Sequence, residues 1–265
     1  PRQHRRLVLH QVLETGIKVM ENGFSFKTLA PSADPMGAAI AEYYKTGKAA
    51  RLRVMSEMFD EDEIPVKTLF RTFAQMSDIE KLALEKAQGR ILDVGAGSGC
   101  HSLVLQEMGK EVCAIDISPL SVETMKARGV KDVAEVNLFS PMLDRKFDTI
   151  LMLMNGSGII GKIENLPGFF RRMDSLLAEG GQILMDSSDL IYLYEEEDGS
   201  VSIDLAGAYY GEVDYRMQYR NIKGETFDWL YIDPETLTMY AAGCGYKTEI
   251  LYKGDSYDFL ARITK

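Results

Sequence analysis

Nine residues constrain this chain more than any others: Ile91-Leu92-Asp93-Val94-Gly95-Ala96-Gly97-Ser98-Gly99. An apolar run of strand length flows into three glycines at alternate positions, and a sequence that can continue as a helix follows. Glycine accepts positive φ without penalty, and its missing Cβ lets a ligand approach the backbone closely. Dinucleotide-binding folds share this logic of strand, glycine turn and helix, so the glycines alone do not choose a ligand. Two carboxylates narrow the choice. Asp93 stands two residues before the first glycine, where a dinucleotide fold usually carries a buried apolar residue. Asp116 ends the next apolar run, Val112–Ile117, where an acid can accept hydrogen bonds from both ribose hydroxyls.

From residue 90 onward strands and helices alternate, the pattern of a parallel sheet with helices on both faces. Arg90–Val94, Val112–Ile117, Asp132–Val136, Phe147–Met154 and Gln182–Met185 are the expected strands, and the nearly continuous apolar run at Phe147–Met154 is a central one. Ser118-Pro119 and Asp233-Pro234 open helices as N-cap followed by proline. A helix around Phe169–Ala178 is expected to end at Gly180-Gly181, and two final strands flank Gly254. Residues 195–232 interrupt the order as an expected antiparallel hairpin. Val213, Tyr215, Met217 and Tyr219 alternate with polar residues, Phe227, Trp229 and Tyr231 mark the second arm, and Asn221–Gly224 forms the turn.

The first 88 residues read as a mostly helical cap. Leu9, Val12, Leu13, Ile17 and Met20 share a helical face. Asp34-Pro35 opens a helix running through Tyr43 and Tyr44, Leu52–Met58 alternates as an extended segment, and Ser77-Asp78-Ile79-Glu80 is a capping box. The acidic runs Glu61-Asp62-Glu63 and Glu195–Asp198 read as solvated loops. Domain boundaries are therefore expected at 1–88 for the cap and 89–265 for the core.

The stretch Ile91–Gly99, with Asp116 at the end of the second strand, resembles motif I of class I S-adenosylmethionine (SAM) dependent methyltransferases. Residues 90–265 fit that family's order of strands and helices. The resemblance implies a seven-stranded sheet in the order 3-2-1-4-5-7-6 with the last strand antiparallel, and SAM over the carboxyl ends of strands one and two. Gly95, Ala96 and Gly97, with Asp93, would face the methionine part. Asp116 would hold the ribose and Ile117 would lie against the adenine. Asn137 and Leu138 occupy the adenine-edge position. That position is commonly Asp; the Asn137 amide oxygen can still accept from the adenine amino group.

Met154-Asn155-Gly156-Ser157-Gly158 follows the central strand, and Asp186-Ser187-Ser188-Asp189 ends the fifth. In open α/β sheets the ligand crevice lies at such carboxyl ends, so Met154 is expected beside SAM, and Asn155 and Asp186 are the candidate catalytic residues on the acceptor side. The asparagine segment lacks the Asn-Pro-Pro-aromatic motif of DNA amino-methylating enzymes. Arg71, flanked by Phe70 and Phe73, is a candidate partner for the methionine carboxylate. His101 reads as a structural or SAM-adjacent residue of the following helix.

Composition excludes several classes. The chain carries 30 basic against 40 acidic residues, a net charge of −10, which disfavours a nucleic-acid partner tracking phosphates. No run approaches the length of a membrane span, and the N-terminus lacks the features of a signal peptide. Cys100, Cys113 and Cys244 have neither disulfide nor metal-ligand spacing, so a cytoplasmic location and no metal site are expected. The expected partner is a small-molecule methyl acceptor whose identity the sequence does not disclose; a homodimer stays open. Two rival readings are a SAM-binding regulatory protein without catalysis and an NAD(P)-dependent oxidoreductase.

Overall fold

The computed structural model describes residues 24–196, 198, 200 and 207–265. The stretch Leu9–Met20, expected as a helix, lies outside them. In chain order the first elements are α1 (Pro35–Thr46), β1 (Leu52–Met55), β2 (Asp62–Ile64), α2 (Asp78–Lys86), β3 (Arg90–Val94), α3 (Cys100–Glu107), β4 (Glu111–Asp116), α4 (Pro119–Arg128) and β5 (Asp132–Glu135). There follow β6 (Phe147–Met152), α5 (Leu166–Leu176), β7 (Leu177–Ser188), β8 (Glu212–Tyr219), β9 (Ile222–Lys223), β10 (Phe227–Leu230), α6 (Pro234–Gly243), β11 (Lys247–Lys253) and β12 (Asp258–Thr264).

Seven strands form the main sheet in the order β5-β4-β3-β6-β7-β12-β11. The pairs from β5 to β7 are parallel, and β12 runs antiparallel to β7. This is the expected order 3-2-1-4-5-7-6. The central strand β6 is buried on both faces, with Phe147, Ile150, Leu151 and Met152 all inaccessible to solvent. One face packs against Phe169, Phe170, Met173 and Leu176 of α5; the other packs against Ile79, Ala83 and Leu84 of α2 and Val104 and Leu105 of α3. Each such large side chain contributes about 1.5–3 kcal/mol of burial. The caps act as their residue types require: Asp34 accepts from Gly37 N, Ser118 from Ser121 N and Asp233 from Thr236 N. Ser77 and Glu80 close the capping box of α2.

Three local readings change. The helix α5 stops at Leu176, so Gly180-Gly181 lies inside β7 rather than at a helix end. A register shift between β6 and β7 accompanies it. A Cβ on Gly181 would stand 3.0 Å from the Ala178 carbonyl oxygen and 3.1 Å from that of Phe147, a tight fit that favours glycine there. The Glu61-Asp62-Glu63 run is no loop: it enters β2, and Arg53 and Arg51 pair with Glu61 and Glu63. The hairpin turns at Arg220-Asn221, earlier than expected, since Tyr219 pairs with Ile222; Arg220 takes the positive φ of 51°.

The insert also does not stand alone. Strand β8 pairs with β10 and β9 on one side and with β1 on the other, and β1 pairs with β2. Strands that precede the main sheet in the chain and strands inserted between β7 and β11 thus share a second, antiparallel sheet of five strands. Leu52 lies opposite Tyr219, and both are buried with Ala39 and Ile40 of α1 and with Val66 and Leu69. The Tyr219 hydroxyl accepts from Ala50 N at 3.0 Å and donates to Glu42 at 2.8 Å, satisfying a phenol that the core would otherwise strand.

Candidate active site

The carboxyl ends of β3, β4, β6 and β7 open toward α1 and the second sheet. Between β3 and α3 the backbone turns on Gly95, Gly97 and Gly99 with φ of 67°, 57° and 79°. Gly95 N and Ala96 N both donate to the Ile115 carbonyl of β4, and Gly97 N donates to the Asp116 carboxylate at 2.8 Å. Asp116 accepts a second bond, also 2.8 Å, from Ser118 N. Burial pushes its carboxyl up to about 6, against the pull of these two N–H donors. A Cβ on Gly97 would meet Ile40 of α1 at 3.8 Å, and one on Gly95 would meet Ile159 at 3.3 Å. The glycine loop is thus bare, with isoleucines standing above it.

Asp93 lies beneath the loop. It is buried, accepts from Ser102 Oγ at 2.6 Å, and so ties α3 to β3 instead of presenting itself to solvent. Desolvation raises its carboxyl above the usual range.

On the expected adenine side, Ile117 is exposed, and its carbonyl accepts from Leu29 N at 2.8 Å. The Asn137 amide is engaged at both ends: its oxygen accepts from Phe139 N, and its nitrogen donates to the Lys27 carbonyl at 3.3 Å. Leu138 is buried, with its carbonyl held by Arg172. Residues 24–34 therefore run along the ends of β4 and β5, anchored where Phe24 stacks on Phe139 with ring centroids 3.5 Å apart.

Arg71 lies between two short 3-10 turns, not on an amphipathic helix. Its guanidinium pairs with buried Glu80 and donates to the Thr68 carbonyl. Glu80 also accepts from Ser77 N at 2.9 Å and meets His101 Nε2 at 2.7 Å. Although desolvation opposes it, this ring of donors, with His101 and Arg71 the strongest, holds the Glu80 carboxyl down at about 2. Cys100, at the start of α3, and Asp186, near the end of β7, both act on the Arg71 guanidinium electrostatically. Glu80 was legible only as a capping residue; its second role needed the tertiary contact with His101.

On the acceptor side Met154 and Asn155 have φ of 66° and 57°, two successive non-glycine residues in the left-handed region. Such a conformation costs energy and persists only where surroundings enforce it. The enforcing group is Asp186, which accepts from Met154 N at 3.2 Å and Gly156 N at 2.9 Å. Ser188 Oγ donates to the Asn155 side-chain oxygen at 2.8 Å. Ser157 Oγ donates to the Leu230 carbonyl at 2.8 Å and accepts from Ser187 Oγ, also at 2.8 Å. Burial pushes Asp186 up to about 6. The structure therefore brings Asn155 and Asp186 together, joined through one turn. Trp229 of β10 seals its far end, for a Cβ on Gly158 would fall inside the indole ring.

The comparisons agree with this architecture. The family whose model is described as "Methyltransferase domain" matches residues 67–246. A SAM-dependent methyltransferase from Bacteroides fragilis, crystallised with S-adenosyl-L-homocysteine, is 62% identical. It aligns over 90% of this chain and 98% of its own, with a TM-score of 0.86. An uncharacterized methyltransferase of Staphylococcus carnosus is 26% identical over 59% of this chain and 79% of its own length. A demethylmenaquinone methyltransferase of Tropheryma whipplei is 29% identical over 36% of this chain and 40% of its own.

Proposed function

The chain belongs to the methyltransferase-domain family and is a SAM-dependent methyltransferase, and from that premise we propose that its methyl acceptor is a small molecule. The observation that carries the proposal is the second sheet. Strands from the N-terminal segment and from the insert join in it, and Ile40 of the adjoining α1 stands above Gly97 while Trp229 of β10 lies against Gly158, past the carboxyl ends of β3 and β6. A crevice roofed this way suits a compact acceptor better than a polymer. Residues up to 88 and the insert at 195–232 are read accordingly as the cap over a core of 89–265.

The residues present fit SAM. The bare backbone of Gly95, Ala96 and Gly97 leaves space where a methionine chain can lie, and Asp116 stands at the end of β4 with lone pairs left for two ribose hydroxyls. Exposed Ile117 offers an apolar surface to adenine, with Asn137 and Leu138 at its edge. Arg71 and Met154 border the methionine end. Asp93 supports the loop from below. When bound, SAM supplies an electrophilic methyl group on a sulfonium.

The chain's own work is alignment, which can be worth about 7–11 kcal/mol when two reactants are held in line. Asn155 and Asp186 are read as the residues flanking the acceptor: Asp186 fixes the strained turn, and Asn155 presents its side-chain amide from it. Three free cysteines fit a reducing cytoplasm, and no helix among the described residues is long and apolar enough to cross a membrane.

Incubation with methyl-labelled SAM and cell extract, followed by size fractionation, tests the proposal. Label is expected in a small molecule. Label confined to protein or nucleic acid would reject it.

A further inference from the structure

Resting on the small-molecule reading above, we propose that the acceptor is an amine carrying a planar apolar body, seated against an aromatic face of the second sheet.

The register of that sheet decides which side chains share a face. Val54 lies opposite Met217, Phe227 opposite Tyr215, and Trp229 opposite Val213. With Leu52 and Tyr219 these residues occupy one face, because side chains alternate with period two. One end of the face is closed: Leu52 and Tyr219 are buried against Ile40 of α1. The other end is closed by Trp229 on Gly158. Between them Val54, Met217, Tyr215 and Phe227 remain only half-buried. Tyr231, just past β10, meets Tyr215 through the two hydroxyls at 3.1 Å. The middle of the face is thus the part that the protein's own packing leaves accessible.

The face carries aromatic rings and no cation. Arg53 and Arg216 project from the opposite face, where Arg53 pairs with Glu61 and Arg216 approaches Met55. Asp62, opposite Val54, belongs to the aromatic side. Tyr192, in the turn after β7, pairs its ring with Tyr257 and acts electrostatically on Tyr215 and Tyr231. Asp186, near the end of β7 and holding the turn that Trp229 closes, has carboxylate acceptor capacity left after its bonds from Met154 N and Gly156 N. Arg71 and His101 reach Asp186 electrostatically, but both are already engaged by Glu80. Aromatic faces and carboxylates attract cations, and an anionic acceptor would find no free partner among these groups. In the reaction the neutral amine's lone pair forms a bond to the methyl carbon. The carbon–sulfur bond breaks, its electrons pass to sulfur to give S-adenosylhomocysteine, and the new ammonium proton leaves to Asp186 or water.

Trp229 is the chain's only tryptophan and reports on this chamber. The test titrates the full chain, saturated with S-adenosylhomocysteine, with phenethylamine, 2-phenylethanol and phenylacetate while following indole emission. Phenethylamine is expected to bind about tenfold or more tighter than either isostere, a gain of the size of a cation–π contact plus a charge-assisted bond. Tyr215→Leu should weaken phenethylamine about tenfold while S-adenosylhomocysteine affinity, read by calorimetry, stays unchanged. Equal or tighter binding of phenylacetate or 2-phenylethanol, or no binding by any of the three, overturns the inference. Failure of S-adenosylhomocysteine to bind would instead strike at the cofactor assignment.

Discussion

Asp34 and Ser118, 84 positions apart in the chain, share a hydrogen bond of 2.6 Å between buried side chains. Each is also an N-cap: Asp34 accepts from Gly37 N and Ser118 from Ser121 N. Ser118 N in turn donates to Asp116. One short chain of bonds thus fastens α1 to α4 and to the acid at the end of β4. Removing Asp34 should therefore loosen the roof and the cofactor site together. Asp34→Ala should lower stability by about 1–2 kcal/mol, the usual loss for a cap, and weaken SAM binding several-fold. A thermal melt and a calorimetric titration read the two effects. A melt change with unaltered SAM affinity would confine Asp34 to capping.

Asp116 makes a pH-dependent prediction. Its carboxyl is pushed up to about 6 by burial, and two ribose hydroxyls donating to it would favour the charged form. SAM binding should then expel a proton near pH 6, so affinity should fall as pH drops through that value and level off above it. Calorimetry in buffers of different ionisation enthalpy counts the proton. Asp116→Asn should abolish the pH dependence and cost about 10–100-fold in affinity, the scale of lost bonds to a charged acceptor. A wild-type affinity flat from pH 5 to 8 would remove Asp116 from the ribose position.

Glu80 predicts a loss of stability toward acid as well, over a lower pH range. Its folded carboxyl sits at about 2, below the ordinary glutamate value of 4.5. The stabilisation it brings is fully present above about pH 4.5 and is lost as pH falls toward 2. Glu80→Ala leaves Arg71 and His101 buried without their carboxylate, which should cost about 3–5 kcal/mol. Denaturant unfolding at pH 7 checks the cost, and the same experiment at pH 3 should show a smaller difference between variant and wild type. An equal difference at both values would mean that the carboxylate charge is not what stabilises the cluster.

What sequence reading reached and missed follows from the range of the forces involved. The glycine turn, Asp116 and the caps at Asp34, Ser77, Ser118 and Asp233 are set by residues within a few positions of each other, and each was found where expected. The pairing of Leu52 with Tyr219 is fixed by a contact across 167 positions, with nothing local to announce that β1 would meet the insert. Gly180-Gly181 misled because a glycine pair usually stops a helix, whereas here Gly180 takes a φ of 71° and Gly181 lies close to the Phe147 carbonyl of β6. Asn155 and Asp186 were placed by the carboxyl-end rule; that one carboxylate would hold the other's turn depended on backbone angles no propensity encodes.

The strained turn permits the backbone and side-chain roles of Asn155 to be separated. Asn155 sits at φ 57°, which glycine adopts freely and alanine does not. Its side-chain oxygen accepts from Ser188, so the proposed contact with the acceptor falls to the amide hydrogens. Asn155→Gly should keep or raise stability, since strain is relieved, yet lower turnover about 10–100-fold if that amide positions the acceptor. Asn155→Ala should lose both. Asp186→Asn replaces one acceptor oxygen of the clamp with a donor facing an N–H, so it should reduce turnover by a similar factor while leaving SAM affinity within about twofold. If Asp186 also takes the acceptor's proton, the wild-type rate should fall as pH drops through about 6, and this acidic limb should vanish in Asp186→Asn. A persisting limb with reduced turnover would restrict Asp186 to holding the turn. Wild-type turnover in Asn155→Gly would assign the catalytic contribution to the backbone alone.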